Sequence, residues 1–211
     1  MESLALAFSS GWASGVNAYL VVLVLGVADR IGGLDQVPDE LGRWEVLSVA
    51  ALMYAFEFVA DKVPYLDSAW DVVSTVLRPV VGGAIGVLLA GDSQSMNALV
   101  GGAVGGGTAL GSHSVKAGTR LAVNSVPEPF SNITLSTAED VVVLALVWFA
   151  IEHPYVAAGI TAVLLVAGLV VLWLAMRAIR RGWRRFRTWR ARRRGLDRVG
   201  VDSAAHQNRT T

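Results

Sequence analysis

Three stretches of the chain, Ser3–Ala28, Ser93–Val115 and Pro154–Met176, contain no aspartate, glutamate, lysine or arginine, and each is long enough to cross the hydrocarbon core of a bilayer. A helix needs about 20 consecutive apolar residues for that crossing. Three shorter apolar runs lie between them and end in charges. Val46–Phe56 leads into Glu57 and Asp61, Pro79–Gly91 follows Asp71 and Arg78, and Val141–Ile151 follows Glu139 and Asp140. Each becomes a span of ordinary length if its flanking charges face protein or water. Backbone inside a bilayer must satisfy its own hydrogen bonds, which leaves helices or a closed barrel. The apolar runs are continuous rather than alternating, so helices are expected.

The reading is an all-α membrane protein, a compact bundle of about six transmembrane helices near residues 4–28, 46–63, 69–90, 95–116, 136–152 and 154–177. A four-span arrangement with the second and third segments fused as a re-entrant pair is the competing count. Composition agrees with a membrane protein: 54% of the 211 residues are hydrophobic and 17% charged, against about 25% charged in soluble domains. Cysteine is absent, which excludes disulfides and thiolate chemistry. Met1-Glu2 offers no basic n-region, so the first apolar stretch is expected to be a retained span rather than a cleaved signal.

Orientation follows the placement of lysine and arginine. Residues 177–198 hold 11 of the 18 basic residues and one acid, while the rest of the chain has 7 basic against 16 acidic residues. That asymmetry puts the end of the sixth span inside, and an even number of spans puts the N-terminus there too. Three parts are expected: a transmembrane domain over 1–177, an arginine-rich cytoplasmic interfacial helix over 178–198, and a disordered tail over 199–211. Trp183, Phe186 and Trp189 lie among the arginines. Directly after a span, that mixture reads as a helix lying on anionic lipid, not as a nucleic-acid site. The expected location is the cell (inner) membrane, with both termini cytoplasmic.

Glycines recur four residues apart at Gly11/Gly15, Gly82/Gly86, Gly101/Gly105, Gly102/Gly106 and Gly107/Gly111. That spacing lets helix backbones approach closely and predicts that spans one, three and four touch. Packing within the chain accounts for it, and oligomerisation is left open.

Ionisable residues inside spans are costly and mark candidate functional positions. Glu57 and Asp61 lie one turn apart on one face. Asp67, Asp71, Ser74 and Arg78 form a stripe entering the third span, with Arg78 deepest and immediately before Pro79, whose ring is expected to kink the helix. His113, Lys116, Arg120 and Asn124 follow at offsets of three, four and four, a cationic ridge if the fourth helix continues that far. Asn17 is a polar residue near the middle of span one. Its setting, Ser14-Gly15-Val16-Asn17, has a weak counterpart in Ala117-Gly118-Thr119-Arg120, which suggests a 3+3 inverted repeat about residue 92. The candidate binding residues are therefore Asn17, Glu57, Asp61, Asp71, Arg78, His113, Lys116, Arg120 and Asn124.

No nucleophile elbow, zincin or Walker signature occurs, and His113, His153 and His206 lack metal-ligand spacing. No enzymatic activity, cofactor or metal is expected. Two function classes remain. One is a small transporter, flippase or channel for an anionic solute or lipid phosphate, with Lys116 and Arg120 holding the anion and Glu57 and Asp61 accepting protons. The other is a non-transporting scaffold or assembly factor acting through its basic tail. Simple ion pairing among the charged groups is the structural alternative to either.

Several stretches in order, Gly15-Val16-Asn17-Ala18-Tyr19-Leu20, Glu57-Phe58-Val59-Ala60-Asp61-Lys62-Val63-Pro64, Asp67-Ser68-Ala69-Trp70-Asp71, Arg78-Pro79 and Lys116–Asn124, resemble a bacterial membrane family catalogued as domain of unknown function 4126. The resemblance covers roughly residues 10–175. It implies a membrane fold and supplies no activity.

Overall fold

In a computed structural model, the described residues are 1–32, 36–63, 66–91, 97–123 and 129–207, with side chains described except at 68, 122–123, 129–132 and 184–207. Among them are six helices and no strand: α1 (Glu2–Gly32), α2 (Trp44–Ala60), α3 (Leu66–Ala90), α4 (Ala98–Val123), α5 (Pro129–Glu152) and α6 (Pro154–Gln207). The chain divides into two compact units, Met1–Leu169 and Val170–Thr211. Most of the arginine-rich segment and the tail expected to be disordered lie where side chains, or for 208–211 the backbone too, are outside the described residues.

Among the described residues, four helical segments are long and apolar enough to cross a membrane: Glu2–Gly32, Ala69–Ala90, Ile133–Glu152 and Pro154–Trp183. The other two helices are atypical for identifiable reasons. α2 has only 17 residues, and α4 dilutes its apolar character with seven glycines.

Polarity in the first unit is inverted relative to a water-soluble domain. Arg78, Arg120, Glu57 and His113 are among the largest fully buried side chains. Leu52, Val72, Val80, Leu99, Leu121, Trp148 and Val163 are all exposed. Charged groups almost never lie fully buried in soluble proteins, and contiguous exposed apolar faces there are small. The arrangement is that of a bundle solvated by hydrocarbon, and the chain is an all-α integral membrane protein.

The bundle is organised around α1, whose buried residues run from Ala5 to Ala28 and which packs against α2, α3, α4 and α5. Its contact with α3 and α4 depends on missing side chains. A Cβ on Gly86 would strike the Gly101 carbonyl, one on Gly105 the Gly82 carbonyl, and one on Gly15 the Ala109 carbonyl. These are the four-spaced glycines, and they bring α1, α3 and α4 together as their spacing predicts. α3 continues through Pro79 to Ala90. Helix continuity past proline is common in membranes, where neighbours satisfy the freed backbone groups.

One helix is interrupted. Asn17 has φ −149° and ψ 96°, outside the helical region, close to the middle of α1. By contrast α4 is helical at Arg120, so the two segments that suggest an inverted repeat differ locally.

Candidate functional site

The interruption at Asn17 changes the hydrogen bonding on both sides of it. In an unbroken helix the Leu20 amide would donate to the Val16 carbonyl. Here it donates to Asn17 Oδ1 at 3.0 Å, so the side chain caps the second half of the helix. Val16 O is thereby freed, and Lys116 Nζ donates to it at 2.9 Å. Arg78 Nη1 donates to the neighbouring Gly15 carbonyl at 3.3 Å. Two cations thus sit at the C-terminal end of the first half-helix, where the helix dipole is negative. The Asn17 amide nitrogen donates to Asp140 Oδ1 at 2.9 Å, tying α1 to α5.

From these anchors a network spreads through five helices. Arg78 Nη2 donates to Glu57 Oε1 in a short ion pair, and Asp71 Oδ1 lies 3.5 Å from Nη1. Both Arg78 and Glu57 are 1% exposed. His113 Nδ1 is 2.8 Å from Arg78 Nη1. Arginine has no acceptor, so Nδ1 must accept and the ring carries its proton on Nε2. That nitrogen faces Thr75 Oγ1 at 3.1 Å, and Thr75 donates onward to the Asp71 carbonyl at 2.8 Å. His113 thus holds the Arg78 guanidinium in place as a neutral ring.

A second knot lies one and two turns further along α4. Lys116 Nζ donates to Asp61 Oδ2 at 2.7 Å and lies 3.3 Å from Glu139 Oε2. Arg120 donates to the Asp61 carbonyl at 2.7 Å and to Glu139 Oε2 at 2.7 Å, with Asp67 Oδ2 at 3.6 Å. Five carboxylates (Glu57, Asp61, Asp67, Asp71 and Glu139) therefore face three deeply buried cations, Arg78, Lys116 and Arg120, and a sixth, Asp140, is held beside them by Asn17. Glu57 Oε2, Asp61 Oδ1 and Asp140 Oδ2 are buried without a hydrogen-bond partner, as are Arg78 Nε and Arg120 Nε.

Two cavities reach the network from different faces of α4. One, of about 300 Å³, is bordered by Lys116 and Glu139. The other, of about 120 Å³, lies between α3 and α4 beside Asp71, Thr75 and Arg120.

Of the nine positions singled out by sequence, Glu57, Asp61, Asp71, Arg78, His113, Lys116 and Arg120 join this network directly, and Asn17 joins its edge through Asp140. Asn124 lies outside the described residues. Asp67, already part of the stripe that enters the third span, joins them, and Glu139 and Asp140 complete the arrangement although the pattern marks these two only as charges at a helix start. The available signal is their position at the head of an apolar run.

A family model described as a domain of unknown function matches residues 4–174. The chain belongs to the domain of unknown function 4126 family. The match contains every described member of the network and stops short of the arginine-rich segment. No curated protein matches the chain, and no solved structure does.

Proposed function

We propose that this protein is a small proton-coupled carrier for an organic or lipid-borne anion. The observation that carries this reading is the break in α1, beside which the Gly15 and Val16 carbonyls hold Arg78 and Lys116 among the carboxylates. Interrupted helices whose ends meet charged groups are the usual substrate and coupling-ion sites of membrane transporters.

The charge inventory supports coupling to protons. Carboxylates already outnumber the buried cations, so an entering anion would add to an existing excess. It can be accommodated if a carboxylate takes up a proton and releases its cation. Lys116 and Arg120 then hold the anion, with Arg78 as a deeper contact kept in place by His113. Glu57 and Asp61 are the proton acceptors. The only covalent change is formation of a carboxyl O–H bond from a carboxylate and a proton, which is undone when the anion leaves. An orientation with both termini cytoplasmic, and a basic segment 178–198 lying on anionic lipid, belong to the same proposal.

The test is transport by purified protein in liposomes, with an internal pH dye and an imposed pH gradient. Wild type should move organic anions with protons. Lys116→Gln/Arg120→Gln, compared only in preparations that are monodisperse, should not. If instead deletion of 178–211 abolishes the cellular phenotype while neutralising Lys116 and Arg120 leaves it intact, the protein is a scaffold.

A further inference from the structure

The larger cavity is unlike the network it touches. It lies between α1, α4, α5 and the first turns of α6, with apolar walls that include Trp12, Val16, Val115, Leu135, Val142 and Leu164. Lys116 and Glu139 are the charged groups on its lining. Its volume is at the small end of the range for ligand pockets, about 300–1,000 Å³. Apolar walls cannot replace the hydration of a small inorganic anion, so such an ion gains nothing by filling this space. An aliphatic chain does.

At the charged end, Glu139 occupies a particular position. One of its oxygens, Oε2, is where Arg120 Nη2 at 2.7 Å and Lys116 Nζ at 3.3 Å converge. Lys116 and Arg120 hold Asp61 more deeply, whereas Glu139 reaches them from the cavity wall. It is also the most exposed carboxylate of the network, with its side chain 15% exposed against 3% for Asp61. A carboxylate on two cations at the head of an apolar chamber has the form of an amphiphile's head group.

We propose that Glu139 is a built-in stand-in for the head of an amphiphilic anion, and that the cavity holds that anion's aliphatic chain. The substrate class is a single phosphate or carboxylate head on an apolar tail. It places its head on Lys116 and Arg120 as the Glu139 carboxylate withdraws, and the accompanying proton goes to Asp61, the other carboxylate those two cations hold. This rests on the carrier reading above and narrows its substrate.

The experiment uses the full chain in phosphatidylcholine nanodiscs and a dodecyl phosphate probe brominated on its chain, which quenches tryptophan on contact. The signal of interest is the part lost in Trp12→Phe, since Trp12 lines the cavity. Wild type should show saturable quenching that unlabelled dodecyl phosphate reverses and that dodecanol or inorganic phosphate does not. Glu139→Gln, which removes the competitor's charge, should bind roughly tenfold more tightly. Ala138→Phe adds bulk to the cavity lining without removing any member of an ion pair, so it should abolish quenching even if the glutamine variant folds poorly. Displacement by inorganic phosphate would overturn the proposal and leave an anion carrier standing. Displacement by dodecanol, or unchanged or weaker binding in Glu139→Gln, would overturn it as well. Anion flux in liposomes without any Trp12 quenching would place the substrate elsewhere, whereas absence of both flux and quenching would remove the carrier reading too.

Discussion

Lys116 on α4 donates to Asp61 at the end of α2 over 2.7 Å, and both side chains are only 3% exposed. The same lysine also supports the broken end of α1 through Val16 O and meets Glu139 of α5, so one ammonium joins four helices. Asp61 is held in turn by Arg120 at its carbonyl. A group with that many buried partners is costly to remove singly and costs less when its partner goes with it.

Arg78 and Glu57 offer the clearest case for that asymmetry, because both are 1% exposed. Arg78→Met and Glu57→Leu should each destabilise the bundle by about 3–5 kcal/mol, the usual cost of stranding a buried charge. The double variant should recover at least half of the summed loss. Thermal unfolding in detergent, scored by monodispersity, measures this; additive losses would mean the two groups are not coupled.

The helix contacts make an equally sharp contrast. Gly101→Val puts a side chain against the Gly86 carbonyl and should separate α3 from α4, with loss of folded protein. Gly107→Ala meets nothing within 4 Å and should be neutral or stabilising by up to about 1 kcal/mol. Expression and melting temperature of the two variants check the pair.

At the interruption of α1, Asn17→Ala removes both the cap on Leu20 and the donor to Asp140. The capping loss alone should cost about 0.5–2 kcal/mol. Combined with Asp140→Ala it should show a coupling energy of at least ~0.5 kcal/mol in a double-mutant cycle. Simple additivity would indicate that the bond does not persist in the membrane.

Much of this was legible in the sequence, for reasons that also mark the limit. Charges at Glu57, Asp61, Arg78, Lys116 and Arg120 stand out because a bilayer makes them costly, and their offsets put His113, Lys116 and Arg120 on one helix face. The four-spaced glycines named the helices that touch. Pairing was not legible: Asn17 finds Asp140 across 123 positions, and no local pattern encodes that. Glu139 looked like a helix-start acid because its cations lie on another helix. The break at Asn17 was hidden as well, since neither proline nor a glycine pair marks it.

Orientation is open to a direct check. Reporter fusions after residues 40, 92 and 211 should read external, external and cytoplasmic, following the basic segment. A cytoplasmic reading at residue 40, or an external one at 211, would contradict six spans with both termini inside.

The central claim is that an anion and the buried carboxylates share the same cations, so that binding one protonates another. Calorimetric titration of the purified protein with dodecyl phosphate, in buffers of differing ionisation enthalpy at one pH, counts the protons directly. The account predicts uptake of about one proton per anion bound, abolished in Lys116→Gln/Arg120→Gln together with the binding itself. Binding with no proton uptake, or with proton release, would contradict it.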